Sequence, residues 1–148
     1  MKQTKLLYIH NQFIQPKHTG SLNTTLLQVF SMCNAFSRKG LKVTLAMEGD
    51  KYFKDNLEYF TKNSFNEDIL FTVIHWRKAH KNRLINRFLV KSRIIKVAKN
   101  ENFDILFTRE PLIISSLVKL EIPIIFESHN TKLHTKYKII HNYLKKKI

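Results

Sequence analysis

The chain has 148 residues, 43% of them hydrophobic, which suits one domain with a buried core and excludes a disordered composition. A formal net charge of +15 speaks about partners and solubility, not about fold. It raises nucleic acid, an anionic membrane surface and phosphorylated substrates as candidates, beside a basic background composition with no dedicated partner. The lone cysteine, Cys33, excludes an internal disulfide and a Cys-rich zinc site.

Residues 6–9 form a compact apolar run, too short for a signal-peptide core, and read as a buried first strand. Leu22, Leu26, Val29, Phe30, Cys33 and Phe36 then recur at helical spacing until Gly40 supplies a stop. Residues 43–47 read as a second strand and 52–62 as a short helix. Residues 69–74 read as a third strand closed by His75, Trp76 and Arg77. A long helix is expected over 81–99, with Leu84, Ile85, Phe88, Leu89 and Ile95 as its apolar members. A fourth strand follows at 105–107. Pro111 opens a helix through about residue 119, because its missing N–H costs nothing in the first turn. A fifth strand spans 122–126, and residues 133–148 read as a basic helix.

Strands alternating with helices mean βαβ units, and continuous apolar strands mean a parallel sheet covered on both faces. The expectation is an α/β, Rossmann-like parallel sheet flanked by helices, in one domain over 1–148. The last helix ought to feed another strand, so the domain is expected to be cut short. No run approaches the length of a membrane-spanning helix, and a cytoplasmic location is expected, at most peripheral on the inner face of the cell membrane.

Ligands of such sheets bind beyond the carboxyl ends of the strands. The predicted strand ends deliver His10 and Asn11, then His75, then Arg109 and Glu110, then Glu127 and His129. This is either a ligand crevice or ordinary polar loops. The loop after the first strand carries neither G-x-G-x-x-G nor a Walker-type G-K-[ST]. No nucleophile motif or H-E-x-x-H is present, and the spacing of His10, His75 and His129 gives no support for a metal. Neither a metal nor another cofactor is expected.

From His75 to Lys99 the chain carries nine Lys and Arg and no acid, among them Arg77, Lys81, Arg83, Arg87 and Lys91. A basic amphipathic helix beside Trp76 and Phe88 has the form of a surface that docks on anionic lipid headgroups. Each Lys or Arg close to such a surface contributes about 1 kcal/mol. A solvated helix face is the competing reading. Nucleic acid ranks last, since no recognised module or interleaved stacking aromatics are visible.

The segment 103–130, FDILFTREPLIISSLVKLEIPIIFESHN, resembles the family-four type of GT-B glycosyltransferases. There a strand ends in Thr-Arg, a Pro-led helix follows, and the next strand ends in Glu-x-His. The opening KLLYIHNQF, the helix ending SRKG and the strand LKVTLAMEGD match that family's first βαβ unit. The resemblance implies the N-terminal, acceptor-side half of a GT-B fold, incomplete here. The full enzyme would move a sugar from a nucleotide-sugar donor to a lipid-linked or saccharide acceptor in envelope polysaccharide biosynthesis.

It also implies that His129 faces the cleft beside the transferring carbon, and that Arg109 and Glu110 line the acceptor side. Gly20 and Ser21 lie where the family places a Gly-Gly pair near the donor diphosphate, but the match there is imperfect. An Arg109–Glu127 structural pair is the alternative for the strand ends. The family's acidic donor motif and diphosphate clamp are missing, so a donor-binding domain or companion chain is expected, and this chain alone is expected to be inactive. The rival is a non-catalytic basic α/β module that binds a membrane surface, an anionic glycan or a partner transferase.

Overall fold

The computed structural model describes residues 2–10, 24–48, 57–59, 62, 68–76 and 83–127. Five parallel strands form one sheet: β1 (Lys5–His10), β2 (Lys42–Glu48), β3 (Thr72–Trp76), β4 (Ile105–Thr108) and β5 (Ile124–Phe126), in the order β3-β2-β1-β4-β5. Three helices accompany them: α1 (Thr24–Arg38), α2 (Arg83–Asn100) and α3 (Pro111–Leu117), the last followed by a 3₁₀ turn over Val118–Leu120. Residues 57–59 are helical, inside the expected short helix, the rest of which falls outside the described residues apart from residue 62. The basic segment 133–148 falls outside them entirely.

The sheet divides two cores because side chains alternate along each strand. On one face Leu6, Tyr8, Val43, Leu45, Met47 and Phe107 pack against Leu26, Val29, Phe30 and Cys33 of α1. On the other, Leu7, Ile9, Ala46 and Leu106 pack against Val90, Ile94 and Ala98 of α2 and Ile113 and Leu117 of α3. Each large aliphatic side chain taken fully out of water contributes about 1.5–3 kcal/mol, so the central strands β1 and β4 anchor both layers. Cys33 is fully buried, as its place in the apolar stripe predicts. Burial raises its thiol far above the ordinary range and leaves it protonated.

Boundaries shift where tertiary contacts intervene. α1 ends in a Schellman arrangement: Leu41 N–H donates to Phe36 O at 3.2 Å and Gly40 N–H to Ser37 O at 2.9 Å, with Gly40 at φ +88°. The third strand begins at Thr72, not at residue 69, because the preceding backbone is held by a side chain instead of the sheet. Leu70 N–H donates to Asn34 Oδ1 and Asn34 Nδ2 donates to Asp68 O, both at 2.9 Å. The fifth strand is trimmed to Ile124–Phe126 by the 3₁₀ turn and by Glu121, whose φ of 58° is left-handed.

The apolar stripe of α2 also differs from expectation. Val90, Ile94 and Ala98 are buried, whereas Leu89 and Ile95 are only half-buried. Positions i, i+4 and i+8 with two small residues let the helix approach the sheet closely, and a stripe of larger residues would hold it away.

Candidate functional site

β1 and β4 are neighbours, yet the connection from β1 packs α1 on one face while the connection from β4 packs α3 on the other. Their carboxyl ends therefore part at the point where strand order reverses, the usual place for a ligand crevice in an open parallel sheet. Four of the side chains facing this point fall on the α1 face by simple alternation: Tyr8 and His10 from β1, Arg109 just past β4, and Glu127 just past β5.

His10 closes β1 opposite Met47 and is 2% exposed. The sequence places it just past the strand; the structure draws it into the strand as the last paired residue. Burial, reinforced by the Arg109 guanidinium, lowers its pKa from 6.5 to about 4, so the imidazole is neutral at pH 7. Its Nε2 is enclosed and has no hydrogen-bond partner. A native fold rarely leaves such an atom unpaired.

Arg109 reaches across to Glu127. Its Nε donates to Oε2 at 2.8 Å and its Nη2 to Oε1 at 3.2 Å, a two-point fork that fixes the plane of the guanidinium. The pair is mostly shielded, with side-chain exposures of 15% and 31%. Nη2 also donates to Met32 Sδ at 2.8 Å. The Tyr8 hydroxyl donates to the same sulfur from 3.9 Å, and its ring stacks on Phe107 with centroids 4.8 Å apart. Burial raises the Tyr8 hydroxyl beyond its usual range although Arg109 opposes the shift, so it remains a neutral donor.

Thr108 fastens the edge of the crevice. Its hydroxyl donates to Ile9 O at 3.4 Å and accepts the Glu110 N–H at 3.0 Å, while Glu127 N–H donates to Thr108 O at 3.1 Å. These contacts tie the ends of β1, β4 and β5 together. Glu110 is the extended N-cap residue of α3, with Pro111 in the first turn. Glu48 ends β2 at 5% exposure.

Of the residues singled out in the sequence, His10, Arg109, Glu110 and Glu127 meet at one sheet edge. The structural-pair alternative for Arg109 and Glu127 is the geometry observed. Asn11, Gly20, Ser21, Arg77, Lys81 and His129 lie outside the described residues. Arg83, Arg87 and Lys91 belong to α2 and not to the crevice. Sequence reasoning missed Tyr8 and Met32. Alternation from His10 was enough to place Tyr8 on the same face, whereas Met32 reaches Arg109 across 77 residues of sequence and leaves no local signal. Among the described residues no group of three or more His, Cys, Asp or Glu could hold a metal ion, and no helix is long and apolar enough to cross a membrane.

No family model matches the chain, and no curated protein matches it. Among solved structures it is similar to Glycyrrhiza uralensis UGT73P12 complexed with glycyrrhetinic acid 3-O-monoglucuronide, at a TM-score of 0.55 and 11% identity. That match covers 84% of this chain and 28% of UGT73P12. The Pnkp1/Rnl/Hen1 RNA repair complex contains a chain similar at a TM-score of 0.51 and 13% identity, covering 87% of this chain and 44% of the other. At such identities the likeness is one of fold: a Rossmann-like α/β sheet. The chain spans less than half the length of either of these two.

Proposed function

We propose that the chain is the acceptor-side Rossmann-like domain of a GT-B glycosyltransferase of the family-four type. The observation that carries this reading is the concentration of His10, Arg109 and Glu127 where β1 and β4 part. It coincides with the motif order of strand ending in Thr108-Arg109, Pro111-led helix, and strand ending in Glu127-Ser128-His129. The fold likeness to UGT73P12, a GT-B glycosyltransferase, supports the same reading at the level of architecture.

On this reading the complete enzyme transfers a sugar from a nucleotide-sugar to a lipid-linked or saccharide acceptor in envelope polysaccharide biosynthesis. His129 contacts the donor sugar near its transferring carbon. Arg109, held rigid by Glu127, lines the acceptor side with Glu110, and Gly20 and Ser21 approach the donor diphosphate. Stabilisation of the leaving diphosphate, where such enzymes gain much of their rate, is left to a donor-binding domain or companion chain. Arg77, Lys81, Arg83, Arg87 and Lys91 hold the domain on anionic lipid at the inner face of the cell membrane.

The experiment is nucleoside diphosphate release by the full-length protein from a panel of UDP- and GDP-sugars, with a membrane-lipid and glycan extract as acceptor. Release from at least one donor is expected, falling about 100-fold or more in His129→Ala. No release from any donor overturns the proposal.

A further inference from the structure

The crevice where β1 and β4 part has a charge unlike that of the protein around it. The chain is strongly basic, yet the described residues at the carboxyl ends of its strands hold three carboxylates, Glu48, Glu110 and Glu127, against one guanidinium, Arg109. That guanidinium is engaged on two nitrogens by Glu127, so it offers an anion little unmatched positive charge. His10 adds none, because burial and Arg109 keep it neutral. A phosphate seated here would meet a balanced or slightly negative surface and would have to give up its water without a matching cation.

The same edge nonetheless offers directed hydrogen bonds. His10 Nε2 is enclosed at the end of β1 with no partner, beside a guanidinium whose plane is fixed. Leaving a buried polar atom unpaired costs about 1–3 kcal/mol, so the atom points to a group that completes it in the working protein. A hydroxyl suits either tautomer, since it both donates and accepts.

We propose that His10 Nε2 hydrogen-bonds a hydroxyl of a saccharide seated over the ends of β1 and β4, so that this crevice selects an uncharged sugar face and rejects a phosphate. The inference rests on the glycosyltransferase reading and narrows its acceptor: the group that enters here is a glycan hydroxyl, and the lipid phosphate of a lipid-linked acceptor lies elsewhere. His10 is then a specificity-determining residue of the acceptor side.

The test is a titration of the ¹⁵N-labelled protein, followed through the His10 imidazole nitrogens and the backbone amides. The probes are methyl hexopyranosides (glucoside, galactoside, mannoside and N-acetylglucosaminide), with inorganic phosphate as the anionic arm. At least one glycoside is expected to shift His10 Nε2 and the Thr108 and Arg109 amides, with the imidazole still neutral at pH 7, while phosphate leaves all three unmoved. His10→Phe keeps the ring and removes the hydrogen bond. It is expected to weaken glycoside binding at least tenfold, with His10→Gln recovering part of the loss and both variants folded at pH 7.

A phosphate-induced shift with a protonated imidazole overturns the proposal, as does undiminished glycoside binding in His10→Phe. If glycosides move the carboxyl-edge amides but not His10, the role of His10 falls and the glycosyltransferase reading stands. If no glycoside moves that edge while donor turnover is intact, the crevice is not the acceptor site.

Discussion

The two ends of the sheet solve the same electrostatic problem in opposite ways. At the amino edge, charges stay wet. Lys2 and Asp104 approach to 3.5 Å with side-chain exposures of 80% and 36%. Lys5 Nζ donates to Glu101 O at 3.1 Å in an exposed position, and the Lys5 N–H donates to Asp104 Oδ2 at 2.8 Å. At the carboxyl edge polar groups are drawn inward: His10 and Thr108 are buried, and Arg109 and Glu127 are largely shielded. Exposed pairs cost little and return little. Buried polar groups cost stability unless every bond is made, and His10 leaves one open. A fold that carries that cost at one edge and avoids it at the other uses the first edge for something besides folding.

The comparison breaks most readily at His10. Its folded pKa of about 4 lies below the ordinary 6.5, so the unfolded chain binds more protons between those values. The stability contributed by the neutral imidazole is therefore complete above pH 6.5 and is lost as pH falls toward 4. The loss is on the order of 3 kcal/mol. Urea titrations of wild type and His10→Phe across pH 7.5 to 4 should show that difference, and parallel curves would contradict it.

Arg109→Ala is expected to cost about 2 kcal/mol, since it strips a mostly shielded carboxylate of its fork. Lys2→Ala at the other edge should change stability by less than about 0.5 kcal/mol. Equal effects in denaturant unfolding would erase the contrast between the edges.

Away from both edges, Asn34→Ala removes two bonds to the backbone before β3 and should cost about 2 kcal/mol. The accompanying change is faster amide exchange at Leu70, which a purely local helix effect would leave alone. The smallest effect belongs to Gly40→Ala. A Cβ there meets nothing within 4 Å, so only the positive φ is penalised, by about 1 kcal/mol in thermal or urea unfolding.

Much of this was legible in the sequence because the signals were local. Apolar runs, the proline at 111 and the glycine at 40 each act within a few residues, and they place the strands and helices in order. The parallel sheet followed from alternation of strands and helices, and the crevice from reading the residues at strand ends. What stayed hidden depends on contacts between distant segments. Asn34 sits four residues after Phe30 on the apolar stripe, and nothing nearby says that it will hold residues 68 and 70. Nor does anything near Met32 announce Arg109. The buried stripe of α2 was misjudged because large apolar residues draw attention, while close packing on a sheet favours the smaller Val90 and Ala98.

The measurement that tests the central claim most directly is the map of backbone amide shifts on titration with a glycoside at pH 7. The account predicts perturbations concentrated at His10, Thr108, Arg109 and Glu127, with the amino-edge residues Lys5 and Asp104 silent. Shifts confined to the amino edge, or absent from both edges, would contradict it.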